Sequence, residues 1–136
     1  MGQAFAAGGV IPGAIFVVNI AQVRRYAMSL AEVTEEPHHH FSSFRVGGKI
    51  FVTVPPGETH IHVFVTEDQR ELALVLEPEG LEKLLWGGKV VGLRVDLASA
   101  QAAVVKRLVS QAWAYKSPKA TRAGGGAGSG RTGVVG

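Results

Sequence analysis

The chain has 136 residues, 46% of them apolar and 18% charged, enough for one globular domain with a real core. It contains no cysteine, which excludes disulfides, thiolate metal sites and a cysteine nucleophile and fits a reducing cytoplasm. The net charge of +3 belongs to the end of the chain: from Lys116 onward there are four bases and no acid, leaving 10 bases against 11 acids in residues 1–115. Charge alone therefore gives a nucleic-acid partner little support.

Residues 1–18 are apolar and broken by Gly8, Gly9, Pro12 and Gly13. A signal peptide needs an early positive charge, whereas the first base here is Arg24, and the stretch is too short and interrupted to span a membrane. It reads as a flexible extension, or as the product of a start assigned upstream of a true one near Val17 or Val18. The domain is expected over residues 19–118.

Asn19 with Gln22 forms a capping-box pattern, after which Ile20, Val23, Ala27 and Leu30 share one helical face and Arg24 and Arg25 point away. A first helix is expected from Ile20 to Ser29. Glu32, Glu35, Glu36 and Pro37 cannot continue the apolar stripe and read as a loop.

Phe41 to Val46, Gly47-Gly48 and Lys49 to Val54 read as a hairpin, since paired glycines supply the positive φ angles of a primed turn. Pro55 to Glu58 makes a second turn into a strand from Thr59 to Val65. A two-residue loop sets Val46 opposite Lys49 and Phe44 opposite Phe51; a four-residue loop sets Val52 opposite Ile61. One sheet face then collects Ile50, Val52, Val54, Ile61, Val63 and Val65 as core. The other collects Phe44, Phe51, Phe64, His60, His62, Ser42, Thr53 and Lys49. A one-residue slip would invert a strand.

Thr66 with Gln69 caps a second helix whose inward face is Leu72, Val75 and Leu76, and Pro78 ends it. Leu81, Leu84, Leu85 and Trp86 form a short helical turn or packed loop before Gly87-Gly88. Val91, Leu93, Val95 and Leu97 alternate as a fourth strand. Ser99 caps a last helix with Val104, Val105, Leu108, Ala112 and Tyr115 inward, closed by Pro118. The Gly/Ala/Ser-rich residues 119–136 read as a disordered basic tail. The elements together make an α+β domain.

The run Arg24-Arg25-Tyr26-Ala27-Met28-Ser29-Leu30, then Glu32-Val33-Thr34-Glu35, Phe44 to Phe51, the Leu93-x-Val95-x-Leu97 strand and Ala112-Trp113 resembles the MmcQ/YjbR family over roughly residues 20 to 119. The resemblance implies a CyaY-like, or frataxin-like, sandwich: an antiparallel sheet of four or more strands with helices on one face. It also implies a DNA-binding or regulatory module, since members are labelled as DNA-binding with a double-wing arrangement, and it transfers no catalytic motif. Two departures stand out. Many members open the last strand with Trp where this chain has Gly92, and the acidic first-helix ridge on which frataxins bind iron is replaced here by Arg24 and Arg25.

His60 and His62 lie two apart on a strand and reach one side, with His40 as the available third ligand. The spacing matches no established metal motif, so a polar sheet face is the preferred reading and no metal or cofactor is expected. Phe44, Phe51 and Phe64 beside Lys49 offer either a stacking platform for a small ligand or ordinary core. Phe44, Lys49, Phe51, His60 and His62 are thus the ligand-binding candidates. Arg24 and Arg25 with Lys106 and Arg107 form a strip that contacts phosphates or is simply a solvated face; Lys119 and Arg122 extend the DNA-binding set. No carboxylate pair or nucleophile–base pattern supports an enzyme. The expected partners are DNA, held weakly and salt-dependently, or a small ligand, with no membrane.

Overall fold

A computed structural model describes residues 18–118. Both terminal extensions, except Val18, and with them Lys119 and Arg122, lie outside the described residues. Helix α1 spans Ile20–Ser29, and its capping box closes as the sequence predicts: Asn19 accepts from the Gln22 N–H while the Gln22 side chain accepts from the Asn19 N–H. Strands β1 (Val33–His38), β2 (Phe41–Val46), β3 (Lys49–Val54) and β4 (His60–Val63) follow. Then come α2 (Glu67–Leu76), β5 (Leu81–Trp86), β6 (Lys89–Asp96) and α3 (Ala102–Lys116).

The six strands form one antiparallel sheet in the order β1-β2-β3-β4-β6-β5. Val23 and Ala27 of α1, Ala73 of α2 and Val104, Val105, Leu108, Val109 and Ala112 of α3 join one core with Phe44, Val52, Ile61, Val63, Leu93 and Val95 of the sheet. All three helices therefore cover the same face. The architecture is the expected α+β sandwich with helices on one side.

Two expected loops are strands. Residues 33–38 form edge strand β1, because an edge tolerates Pro37 and lets Glu35 and Glu36 point to opposite sides. Glu35 turns toward α1, where Arg24 donates to it at 2.9 Å. Residues 81–86 form the other edge, β5, held against β6 from Leu81 opposite Val95 to Trp86 opposite Lys89. Gly47 and Gly48, at φ 58° and 79°, make the expected two-residue turn between β2 and β3.

The registers beyond the turns differ from the sequence-based expectation. A bulge between Phe44 and Arg45 leaves Arg45 opposite Ile50 but Phe44 opposite Val52, so Phe51 is the additional residue. Phe51 and Val52 consequently both enter the helix-side core, and Ile50 leaves it. Val52 pairs with Val63 rather than Ile61, because the β3–β4 connection is two residues longer than a four-residue loop; the parity, and hence the core face of both strands, is unchanged.

The helix faces also differ. Helix α2 is capped as expected by Thr66 and Gln69, but it sits at the sheet's margin against β6. It buries Ala73 and the Arg70 stem while Leu72, Val75 and Leu76 stay exposed. Ser99 bonds Asp96 instead of capping α3, whose N-cap position is Gln101, and Tyr115 is exposed.

Candidate functional site

Because side chains alternate along a strand, the residues between the core positions emerge on the sheet face that no described helix covers. Pairing aligns one residue from each strand in a single transverse row. Glu36 of β1 faces Ser43 of β2, Ser43 faces Thr53 of β3, Thr53 faces His62 of β4, His62 faces Arg94 of β6, and Arg94 faces Glu82 of β5. Every member is polar. Ser43, Thr53 and His62 are nonetheless buried, at 0%, 1% and 7% exposure.

Burial of polar groups is tolerated only where they are bonded. The Ser43 hydroxyl donates to the Glu36 carbonyl at 2.7 Å and accepts from Arg45 Nε at 3.0 Å. Thr53 Oγ1 and His62 Nδ1 are 3.2 Å apart. Arg94 Nη1 lies 3.9 Å from Glu82 Oε2, while its Nε is buried and has no acceptor among the described residues. Burial, then the Arg94 guanidinium, then His60 push the His62 pKa down to about 4. His62 is thus a neutral imidazole at neutral pH.

Apolar side chains flank the row. Phe41 lies on one side, its ring 5.9 Å from that of His62. On the other, Phe64 meets Trp86 at 5.4 Å in a tilted arrangement. Gly92 makes this possible: a Cβ there would sit 2.4 Å from the Val63 carbonyl oxygen and 3.3 Å from Phe64 Cδ1. A hollow of about 210 Å³ crosses the face, lined by His38, Ile50, Thr53, Phe64, Trp86 and Lys116.

The ligand-binding candidates taken from the sequence divide between the two faces. His60 and His62 emerge on the open face, Phe44 and Phe51 are wholly buried in the helix-side core, and Lys49 is exposed at the hairpin turn. The β2–β3 bulge is the physical reason, since it turns Phe51 inward. His60 bonds Thr59 through Nδ1. His40 sits in the β1–β2 turn, and no group of three potential metal ligands occurs among the described residues. Phe64, part of the stacking platform considered from the sequence, lies on the open face, whereas Trp86, Arg94 and Lys116 were not singled out as ligand-site residues by sequence. Recognising β5 as a strand would have set Trp86 and Glu82 on the same face as the histidines.

The phosphate strip is broken as well. Arg24 is held by Glu35 and Glu58, and Arg107 by Glu77. Arg25 and Lys106 remain together, lining a cleft of about 430 Å³ between α1 and α3. Lys106 Nζ lies 5.7 Å from the Tyr26 ring centroid, and the Tyr26 hydroxyl bonds Ser110 to join the two helices. Neither helix carries a carboxylate.

The fold and its open, polar-and-aromatic face define a two-layer sandwich of three helices on an antiparallel sheet. A family model, YjbR, matches residues 28–115, and the chain belongs to the YjbR family. No curated protein matches the chain significantly. Among the described residues, no helix is long and apolar enough to cross a membrane.

Proposed function

We propose that this protein is a non-enzymatic regulatory module that binds a small ligand on the open face of its sheet. The observation that carries this reading is the hollow that Thr53 of the buried polar row lines together with Phe64 and Trp86. Sites for small ligands combine apolar walls with a few placed polar groups, and this face has both. A catalytic role has less support. His62, with its pKa near 4, is a poor general base at neutral pH, and its hydrogen-bond partner is a threonine rather than a carboxylate. A cytoplasmic setting is part of the proposal, supported by the absence of cysteine.

The test uses tryptophan emission. The chain has two tryptophans, and Trp113 donates to the Ala31 carbonyl on the helix side. In a Trp113→Phe variant, Trp86 reports alone. Saturable quenching by single-ring aromatic compounds, lost on Thr53→Val combined with Phe64→Ala, is expected. Absence of any saturable response across such a panel would remove the reading.

DNA binding is a second reading, favoured by the uncommitted Arg25–Lys106 pair on two carboxylate-free helices. The described residues hold 11 bases and 11 acids, so any duplex affinity should be weak, sequence-tolerant and steeply salt-dependent. Arg25→Gln with Lys106→Gln, made in a chain ending at Pro118, separates a contribution of the domain from one of Lys119, Arg122 and Arg131. Unchanged binding in that variant would dismiss the cleft.

A further inference from the structure

Helix α2 turns its large apolar side chains outward. Ala73 and the Arg70 stem face the sheet margin, while Leu72, Val75 and Leu76 are 59%, 75% and 65% exposed. Residues three and four apart on a helix are neighbours, so these three make one continuous stripe. Single exposed apolar residues are ordinary on a protein surface, but a contiguous row beside a groove marks a contact site.

The groove runs between this stripe and α3. One hollow, of about 250 Å³, is lined by Leu72, Ala73 and Leu76 with Arg107 and Gln111 of α3. A second, of about 270 Å³, is lined by Leu76, Pro78 and Glu79 with Gln101 and Val104 of α3. Leu76 borders both, so the hollows follow one another along α2. Two hollows in line accept apolar side chains one turn apart on a partner helix, the usual anchor spacing of a helix lying in a groove.

Charge narrows the choice of partner. Six of the eleven acids of the chain fall between residues 67 and 82, against Arg70 alone. Arg70 pairs with Glu67 and Glu71, Arg107 with Glu77 and Arg94 with Glu82. Asp68 and Glu79 have no basic partner among the described residues. Asp68 stands one turn before Leu72, at one end of the stripe, and Glu79 lines the hollow at the other. A second copy of the chain matches this badly, because a two-fold antiparallel contact of the stripe with itself would bring Asp68 of one copy toward Glu79 of the other. The chain's own ends match no better. Residues 1–17 carry no charge, and residues 119–136 carry bases but no apolar residue beyond alanine, Val134 and Val135. An anionic membrane surface would be repelled by the same carboxylates.

We propose that the α2–α3 groove docks a basic amphipathic helix of a partner protein. Its apolar residues sit on Leu72, Val75 and Leu76, and its flanking bases meet Asp68 and Glu79.

Fluorescence anisotropy of labelled peptides titrated with the full chain tests this. The probe is a peptide of about 18 residues, long enough to be helical alone, with leucine along one face and lysine elsewhere. One comparator carries glutamate in place of lysine, and another has the probe's residues in permuted order. The lysine peptide should bind at least tenfold more tightly than either. Leu72→Ser with Leu76→Ser should weaken it at least tenfold. Should that pair fail to fold, Val75→Lys, at the most exposed position, should weaken it at least fivefold. Asp68→Lys with Glu79→Lys should reverse the preference toward the glutamate peptide. No saturable binding, equal binding of the permuted peptide, or binding that survives the leucine substitutions would overturn the docking site. Failure of the charge reversal would overturn the basic partner. Three rival occupants would each replace the proposal. Self-association by sedimentation, lost with the leucines, would assign the stripe to a second copy. A fivefold gain in peptide affinity on Phe5→Asp with Ile11→Asp would assign it to residues 1–17. Binding to phosphatidylserine vesicles, lost with the leucines, would assign it to a membrane.

Discussion

The two faces of the sheet are built from the same strands and do opposite work. The helix side carries Phe44, Phe51, Val52, Ile61, Val63, Leu93 and Val95, all with essentially no exposure, and the carboxylate at its margin, Glu35, is matched by Arg24. The open side carries one polar residue per strand in register, with an aromatic pair beside it. One face is arranged to lower the free energy of folding. The other accepts buried polar groups, one of them unmatched, which is costly unless something is gained from it.

Truncation should reveal the largest difference. Phe51→Ala removes a wholly buried ring and should cost about 3–5 kcal/mol by chemical denaturation. Phe64→Ala, on the open face, should cost clearly less and instead impair ligand binding. Equal losses would mean that both faces are core. Next in size is Gly92→Ala, which drives a methyl against the Val63 carbonyl and should cost about 1–3 kcal/mol while displacing Phe64.

A pH titration sharpens the same comparison. The His62 pKa falls from its ordinary 6.5 to about 4 on folding. Between those values the unfolded chain binds a proton that the folded chain refuses, so stability is full above pH 6.5 and declines as the pH drops toward 4. With solvent screening allowed for, the loss should be about 2 kcal/mol. Urea midpoints measured across that range should fall for the natural sequence and change less for His62→Gln; parallel curves would contradict the burial of His62. The smallest effect concerns a feature that belongs to neither face. Thr66→Ala removes the cap of α2 and should cost about 1 kcal/mol, without altering the ligand response.

What the sequence revealed depended on how local the governing interactions are. Helix α1, both capping boxes and the Gly47–Gly48 hairpin rest on contacts within a few residues, and all were legible. Strands β1 and β5 were not, because acidic Glu35 and Glu36 and the run from Leu81 to Trp86 become strands through partners supplied by β2 and β6. The inward face of α2 was misread for a related reason: its position at the sheet's margin, rather than its periodicity, leaves Leu72, Val75 and Leu76 in solvent. For the site, His60 and His62 were found by alternation alone. Thr53 was set beside them by the expected register, whereas Arg94 and Trp86 join them only through the pairing of β4 with β6 and of β6 with β5, the last step to Trp86 passing the bulge at Leu84–Leu85.

The strand order also has a consequence for synthesis of the chain. Strands β1 to β4 form a meander of successive neighbours, but the second neighbour of β4 is β6, which lies beyond α2 and β5. As the chain leaves the ribosome, the outer edge of β4, carrying Ile61 and Val63, is complete before the strand that will cover it has been made. An unpaired apolar edge is the feature through which nascent chains associate with one another. Pairing β6 requires closing a loop across α2 and β5, a slower event than the hairpins before it. Chains arrested before Lys89 should therefore depend on chaperones more than completed ones do, and the central strand that bears His62 is the last to gain both neighbours.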